Sequence, residues 1–338
     1  MVDGLGSWLG IVIGGALNGS FAVPMKRARV WRFEHIWGLF SILAMVVIPW
    51  SAILIAVPEW KGLIAAIPLH RLAALVALGL IWGVASLLYG LAIDLLGIAL
   101  GISIQLGLSI VVGALVPFAI VRGIAFRTIS DWVFLLGVIT MVVGVTLCAT
   151  AGTVSRGAGT AARSTDAERA KFRKGLIIAA LGGLGSPLLN LGIQYGTSLM
   201  PRFTRTDTLV PWLAWAILLS AGAVSQAGWC FYRLVVTHQA ALFQREGSGR
   251  DAIFVSGMAV IWMISIFLYA RGATSLGSVG TSVGWPVFIG LIVIASNGWG
   301  VSLGEWRERP RANFYQMIAG SGVLIIATFI IAWARSSW

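Results

Sequence analysis

An all-α integral membrane protein, with ten transmembrane helices in two inverted five-helix repeats, is the fold class that the sequence predicts. Three observations lead there. Hydrophobic residues make up 58% of the 338 positions and charged residues only 11%, against about 25% charged in ordinary soluble domains. Such a chain has too little polar surface to clothe a globule, so lipid is its solvent. The apolar residues also fall in runs near the ~20 residues that a helix needs to cross the hydrocarbon. Finally, the stretch from Ile81 to Pro117 partly returns: Ile81-Trp82, Leu88-Tyr89 and Leu96-Gly97 recur as Ile261-Trp262, Leu268-Tyr269 and Leu276-Gly277, each displaced by 180 positions.

Taken in order, spans are expected at 6–25, 37–57, 72–93, 97–121 and 131–151, then at 175–199, 209–235, 252–271, 283–303 and 312–334. The first run follows Met1-Val2-Asp3, with no cation ahead of it and Lys26, Arg27 and Arg29 behind it. It therefore reads as a retained span rather than a cleaved signal peptide. Between the fifth and sixth runs, Arg156, Arg163, Arg169, Lys171, Arg173 and Lys174 lie among Ser, Thr and Gly. This stretch, 152–174, is expected to be a basic cytoplasmic linker between a first repeat (1–151) and a second (175–338). Glycine pairs in the first span of each half, Gly14-Gly15 and Gly182-Gly183, fit both a duplication and close helix approach.

The cations set the orientation. Loops 1, 5, 7 and 9 hold Lys26, Arg27, Arg29 and Arg32, the linker cations, Arg233, Arg245 and Arg250, and Arg307, Arg309 and Arg311. The other side holds Lys61, Arg71, Arg122, Arg127, Arg202, Arg205, Arg271 and Arg335. A two-to-one bias puts the odd loops in the cytoplasm and both termini outside. With five spans per half, the second half then enters the bilayer from the opposite side, a construction used by many secondary transporters.

Several function classes drop out. The net charge of +12 lies between apolar runs rather than in an aromatic-laced patch, so no nucleic acid partner is expected. Cys148 and Cys230 fall in separate apolar runs with no metal spacing and count as small hydrophobes. No Ser/His pairing or phosphate loop marks an enzyme, and no cofactor or metal is expected.

The stretch from Lys26 to Trp37, reading Lys26-Arg27-Ala28-Arg29-Val30-Trp31-Arg32-Phe33-Glu34-His35-Ile36-Trp37, and then Ile48-Pro49-Trp50 resemble the bacterial L-rhamnose transporters of the drug/metabolite transporter superfamily. So do Trp82-Gly83, Tyr89-Gly90-Leu91, Leu96-Gly97, Val112-Gly113, Trp262 with Tyr269, Trp285, and Glu305-Trp306 before a basic loop. The resemblance covers most of the chain. It implies a ten-helix, multi-pass carrier of the bacterial cytoplasmic (inner) membrane that imports a small sugar, in the rhamnose case with protons. One departure stands out: where those carriers have a tyrosine–aspartate pair at the start of the ninth span, this chain reads Gly280-Thr281-Ser282.

No acid falls in the middle of an expected span, and an intramembrane carboxylate is the usual mark of a proton relay. Asp94, between spans 3 and 4, is the remaining coupling candidate, with a solvated turn or helix-cap aspartate as the alternative. A neutral site suits a sugar, which offers hydroxyls to amides and phenols and C–H faces to aromatic rings. Asn18, Gln105, Asn190, Gln194 and Asn297 are the mid-span amides. Each must find a partner or line a wet cavity, and helix–helix contact is the alternative for each taken singly. Trp82 and Trp262, equivalent in the repeat, are expected to form a sugar platform from opposite halves, with core packing as the alternative. Gln105 and Trp285 are equivalent too and are expected to close the site. Trp31, Trp37, Trp50, Trp60, Trp306 and Trp338 lie near span ends and read as interface anchors.

The binding set is thus Asn18, Trp82, Gln105, Asn190, Gln194, Trp262 and Trp285. The expected gates are Tyr89 and Gly97 at the cytoplasmic hairpin, and Tyr269 and Gly277 at the outer one. The leading reading is a secondary carrier for a small neutral sugar, working by alternating access, with proton coupling open. The second is an exporter or importer of amino acids, nucleosides or other small metabolites on the same scaffold.

Overall fold

The computed structural model describes residues 4–96, 98–123, 126–152, 166–200, 210–307 and 309–336. Among them lie ten helical spans long and apolar enough to cross a membrane. Span 1 is α1 (Gly4–Ser20), followed by a 3-10 turn at Pro24–Arg27. Span 2 runs through α2 (Phe33–Ile42), a π-helical segment at Leu43–Val47 and α3 (Ile48–Ala56). Pro49 has no N–H to give and its ring crowds the preceding turn, so the wider π turn sits just ahead of it. A short α4 (Trp60–Ala65) precedes span 3, α5 (Leu69–Leu96). Spans 4 and 5 are α6 (Ile98–Arg122) and α7 (Ile129–Ala151).

Span 6 is interrupted: α8 (Asp166–Gly185) gives way at Ser186-Pro187 to α9 (Leu188–Leu199), because Pro187 cannot donate back to Gly183. The remaining spans are α10 (Pro211–Val236), α11 (Ser248–Ser275), α12 (Gly280–Ser302) and α13 (Arg311–Ser336). Exposed side chains such as Ile55, Ile120 and Phe329 make the outward faces apolar, as lipid contact requires.

Three expectations change. Asp94 lies in the last turn of α5 rather than in a loop, since its leucine-rich surroundings hold no breaker before Gly97. Gly97 itself is outside the described residues. The linker was expected to run to Lys174, yet α8 begins at Asp166. The sequence Asp166-Ala167-Glu168-Arg169-Ala170-Lys171 consists mostly of good helix formers with its acids at the N-terminal end, so the helix extends beyond its apolar run. Trp31 is not a lipid anchor: it is buried, edge-on to Phe243 at 5.2 Å. The loop carrying it is pinned by Asp251, at the start of α11, whose carboxylate accepts from the backbone N–H groups of Arg29, Val30 and Trp31 at 2.8–3.2 Å.

The helices pack in matched sets. α1 lies between α11 and α12, while α8 lies between α5 and α6. α10 packs on α5 and α2, α6 meets α12, and α7 runs along α13. Glycines make the first two arrangements possible. A methyl group at Gly10 would stand 2.9 Å from the Leu268 carbonyl oxygen, and one at Gly14 2.8 Å from that of Ser265. On the other side, a methyl at Gly185 would stand 2.6 Å from Ala85 Cβ, and one at Gly182 would reach 3.4 Å from Leu88 Cβ while running into the Gln105 amide. The contacted positions, 268 with 88 and 265 with 85, carry the same 180-residue offset as the repeated dipeptides.

Candidate functional site

The two tryptophans expected in a sugar platform lie together in the structure. Trp82 on α5 and Trp262 on α11 stack with ring centroids 6.4 Å apart and planes 20° off parallel. Both are buried. Trp82 is let in by Gly222 on α10, where a methyl group would stand 2.7 Å from the indole. Trp262 meets Phe40 edge-on at 5.8 Å. From Phe40 the aromatic contacts continue to Phe21 at 5.5 Å, to Trp37 at 5.2 Å, and on to Phe33 at 5.4 Å.

A polar cluster is centred on Asn190, in the first turn of α9 just past the helix break. Its side-chain nitrogen donates to the carbonyls of Gly113 (3.3 Å) and Thr281 (3.2 Å), and its oxygen accepts from the Tyr269 hydroxyl. The Thr281 hydroxyl donates to Gln194 Oε1 at 2.9 Å. Trp285 Nε1 donates to Ser109, to the carbonyl at 3.1 Å and the hydroxyl at 3.2 Å. The Ser109 hydroxyl in turn donates to that of Ser186 at 3.3 Å. The Trp285 ring rests on the bare backbone of Gly113. Four helices, α6, α9, α11 and α12, are thereby tied together at neutral groups only.

Two predicted residues stand apart. Asn18 donates to the Ser265 hydroxyl at 2.9 Å, a bond between α1 and α11. Gln105 is buried against Gly182, with neither amide atom partnered, one turn along α6 from the Ser109 that holds Trp285.

At the end of the bundle that carries Gly152, Glu305 and Trp306, here termed the linker face, a cavity of about 300 Å³ opens between α5, α6, α7 and α12. Tyr89, Leu106, Cys148, Asn297, Trp306 and Arg309 are among its lining residues. Tyr89, an expected gate, therefore borders open space, whereas Tyr269 is sealed in the polar cluster. Near the opposite end, Gly277 holds a left-handed φ of +87° in the short connection from α11 to α12, where a glycine is strongly favoured. Arg335 donates to the Leu276 carbonyl beside it at 2.6 Å.

Sequence reasoning named Asn297 as a mid-span amide but did not place it in the site, and read Trp306 as an interface anchor. Only the fold reveals which helix face each one presents. Ser109 was missed, and Gly113 and Thr281 entered only through the family resemblance, because small neutral residues carry no signal of their own in so apolar a chain.

A family model described as "L-rhamnose-proton symport protein (RhaT)" matches residues 5–337. The chain belongs to this family. Among similar curated proteins, the L-rhamnose-proton symporter of Pectobacterium atrosepticum is 24% identical over 333 residues, covering 94% of each chain. That of Escherichia coli is 24% identical over 331 residues, covering 95% of each. That of Citrobacter koseri is 23% identical over 337 residues, covering 96% of each. As a member of the L-rhamnose-proton symport protein family with ten apolar spans, the protein is a membrane carrier rather than an enzyme, and it resides as a multi-pass protein in the bacterial inner membrane.

Proposed function

We propose that this carrier moves L-rhamnose, or a closely related neutral monosaccharide, across the inner membrane together with protons, by alternating access between two inverted halves. The observation that carries the sugar reading is the presence inside the bundle of a stacked indole pair and of a cluster of neutral amides and a phenol. Trp82 and Trp262 bring flat rings suited to C–H faces, and Asn190, Gln194 and Tyr269 bring donors and acceptors that satisfy one another here and would turn to sugar hydroxyls once the cluster opens. Its similarity to L-rhamnose-proton symporters supports the sugar and the coupling ion.

The halves are 1–151 and 175–338, joined by the basic stretch between them. Their equivalence is supported by the matched packing of α1 on α11 and α12 against α8 on α5 and α6. The broken span 6 adds support, since discontinuous helices frame the substrate sites of several transporters. The distribution of cations supports a cytoplasmic linker face with both termini outside. In that orientation the cavity opens to the cytoplasm, the Asn190–Tyr269 cluster closes the outer side, and the hairpins at Gly97 and Gly277 are the gates. Asn18 and Gln105 support the site from α1 and α6, Trp285 closes it, and Asp94 stands as the proton-coupling candidate at the cytoplasmic end of α5.

The test is counterflow in proteoliposomes. Vesicles preloaded with L-rhamnose should take up labelled rhamnose, and an inward proton gradient should drive accumulation above equilibrium. Uptake of amino acids or nucleosides, with none of any neutral sugar, would overturn the reading.

A further inference from the structure

The linker-face cavity carries an amide, a phenol and an indole within a mostly apolar lining. We propose that Tyr89, Asn297 and Trp306 form a second subsite for a neutral monosaccharide there, separate from the stacked tryptophans. The proposal rests on the sugar-carrier reading above.

The side-chain nitrogen of Asn297 is buried with no oxygen acceptor in reach and only the weakly accepting Cys148 thiol beside it, although its residue lines an open cavity. Buried donors in native proteins are nearly always paired, and a sugar hydroxyl is a partner the cavity can admit. Trp306 supplies an aromatic ring for a C–H face. It is steadied edge-on by Phe314 at 6.2 Å and covered by the Arg309 guanidinium at 5.3 Å. Tyr89 brings a phenol from α5 on another wall. The volume of about 300 Å³ is at the lower end for small-molecule sites, which suits a single sugar ring.

The charges nearby favour an uncharged ligand. Glu305 is paired with Lys26, and Arg309 donates to the Gly152 carbonyl while lying over Trp306. Both are committed, so the free capacity is the neutral amide and phenol. Seven residues of α5 separate Trp82 from Tyr89, about 10 Å along the helix, more than the width of a pyranose ring. The sugar would therefore meet the cavity and the stacked tryptophans one after the other along its path.

Cys148 borders the same cavity at 5% exposure, its thiol turned to Met317 and Ser321 on α13, while Cys230 is buried elsewhere, so modification of Cys148 follows access through the cavity wall. In the purified wild-type carrier, L-rhamnose should slow modification of Cys148 by methyl methanethiosulfonate. The half-protecting concentration should rise at least about fivefold in Asn297→Leu, as the loss of one hydrogen bond predicts. Trp306→Leu should give a similar rise and serves if the first variant does not fold. Closure of the cavity driven by sugar bound elsewhere would also protect Cys148, but would leave the half-protecting concentration unchanged in both variants; that result overturns the subsite. Absence of protection in a wild-type protein that still performs rhamnose counterflow overturns it while leaving the carrier reading intact. Protection by a sugar acid at lower concentration than by rhamnose overturns the neutral class. Failure of counterflow with every neutral sugar removes the carrier reading, and the subsite with it.

Discussion

The hydroxyl of Tyr269 donates to the side-chain oxygen of Asn190, joining α11 to the helix that restarts after the break in span 6. Both residues are fully buried. Tyr269→Phe keeps the ring and leaves the amide oxygen without its donor, at a cost of about 1–3 kcal/mol. The expected outcome is a lower unfolding temperature in detergent, together with easier opening of this end of the bundle. The latter is measured as faster modification of a cysteine introduced at Gln194. An unchanged labelling rate would remove this bond from the closing contacts.

Gly113 lets the Trp285 indole lie directly on the α6 backbone. Gly113→Val would push the ring away, and overpacking of this kind costs about 1–3 kcal/mol, roughly a tenfold or larger shift towards the open form. Counterflow should fall by a similar factor while expression and folding persist. Gly277→Val should slow transport too, because its left-handed φ resists a β-branched side chain. Full activity in both variants would sink the assignment of this end as a gate.

Truncating Trp262 tests the aromatic platform. The stacked pair is worth about 0.5–1.5 kcal/mol beyond its buried area, so Trp262→Ala should raise KM for the sugar roughly two- to tenfold, and Trp262→Phe should restore most of it. Equal losses in both variants, seen in stability and not in KM, would mark the residue as packing alone.

The topology has its own measurement. A protease-cleavable tag after Trp338 should be cut in intact spheroplasts, and a tag inserted in the 153–165 stretch only after lysis. The opposite pattern would reverse the faces and make the open cavity an outward one.

The ten spans were legible because apolar length is a strong signal, and the paired tryptophans because the repeat marked them. The centre of the polar cluster was legible only in part. Asn190 and Gln194 stood out as amides in hydrocarbon, but their partners are the backbone of Gly113, the carbonyl and hydroxyl of Thr281 and the phenol of Tyr269. A backbone acceptor looks the same at every position of a sequence. Trp31 and Trp306 were misjudged for a related reason: nearness to a span end does not say whether a ring faces lipid or protein. The interruption of span 6 was signalled by Pro187, yet the run either side of it is apolar enough to read as one helix.

Trp82 and Trp262 come from opposite halves and lie close enough, at 6.4 Å, for their electronic transitions to couple. The molecule thus carries its own spectroscopic ruler. Far-ultraviolet circular dichroism should contain a two-signed exciton contribution from this pair, read as the difference from a variant in which either indole is replaced by phenylalanine. Any step of the transport cycle that parts the halves would change that contribution in real time, without a label attached to the protein.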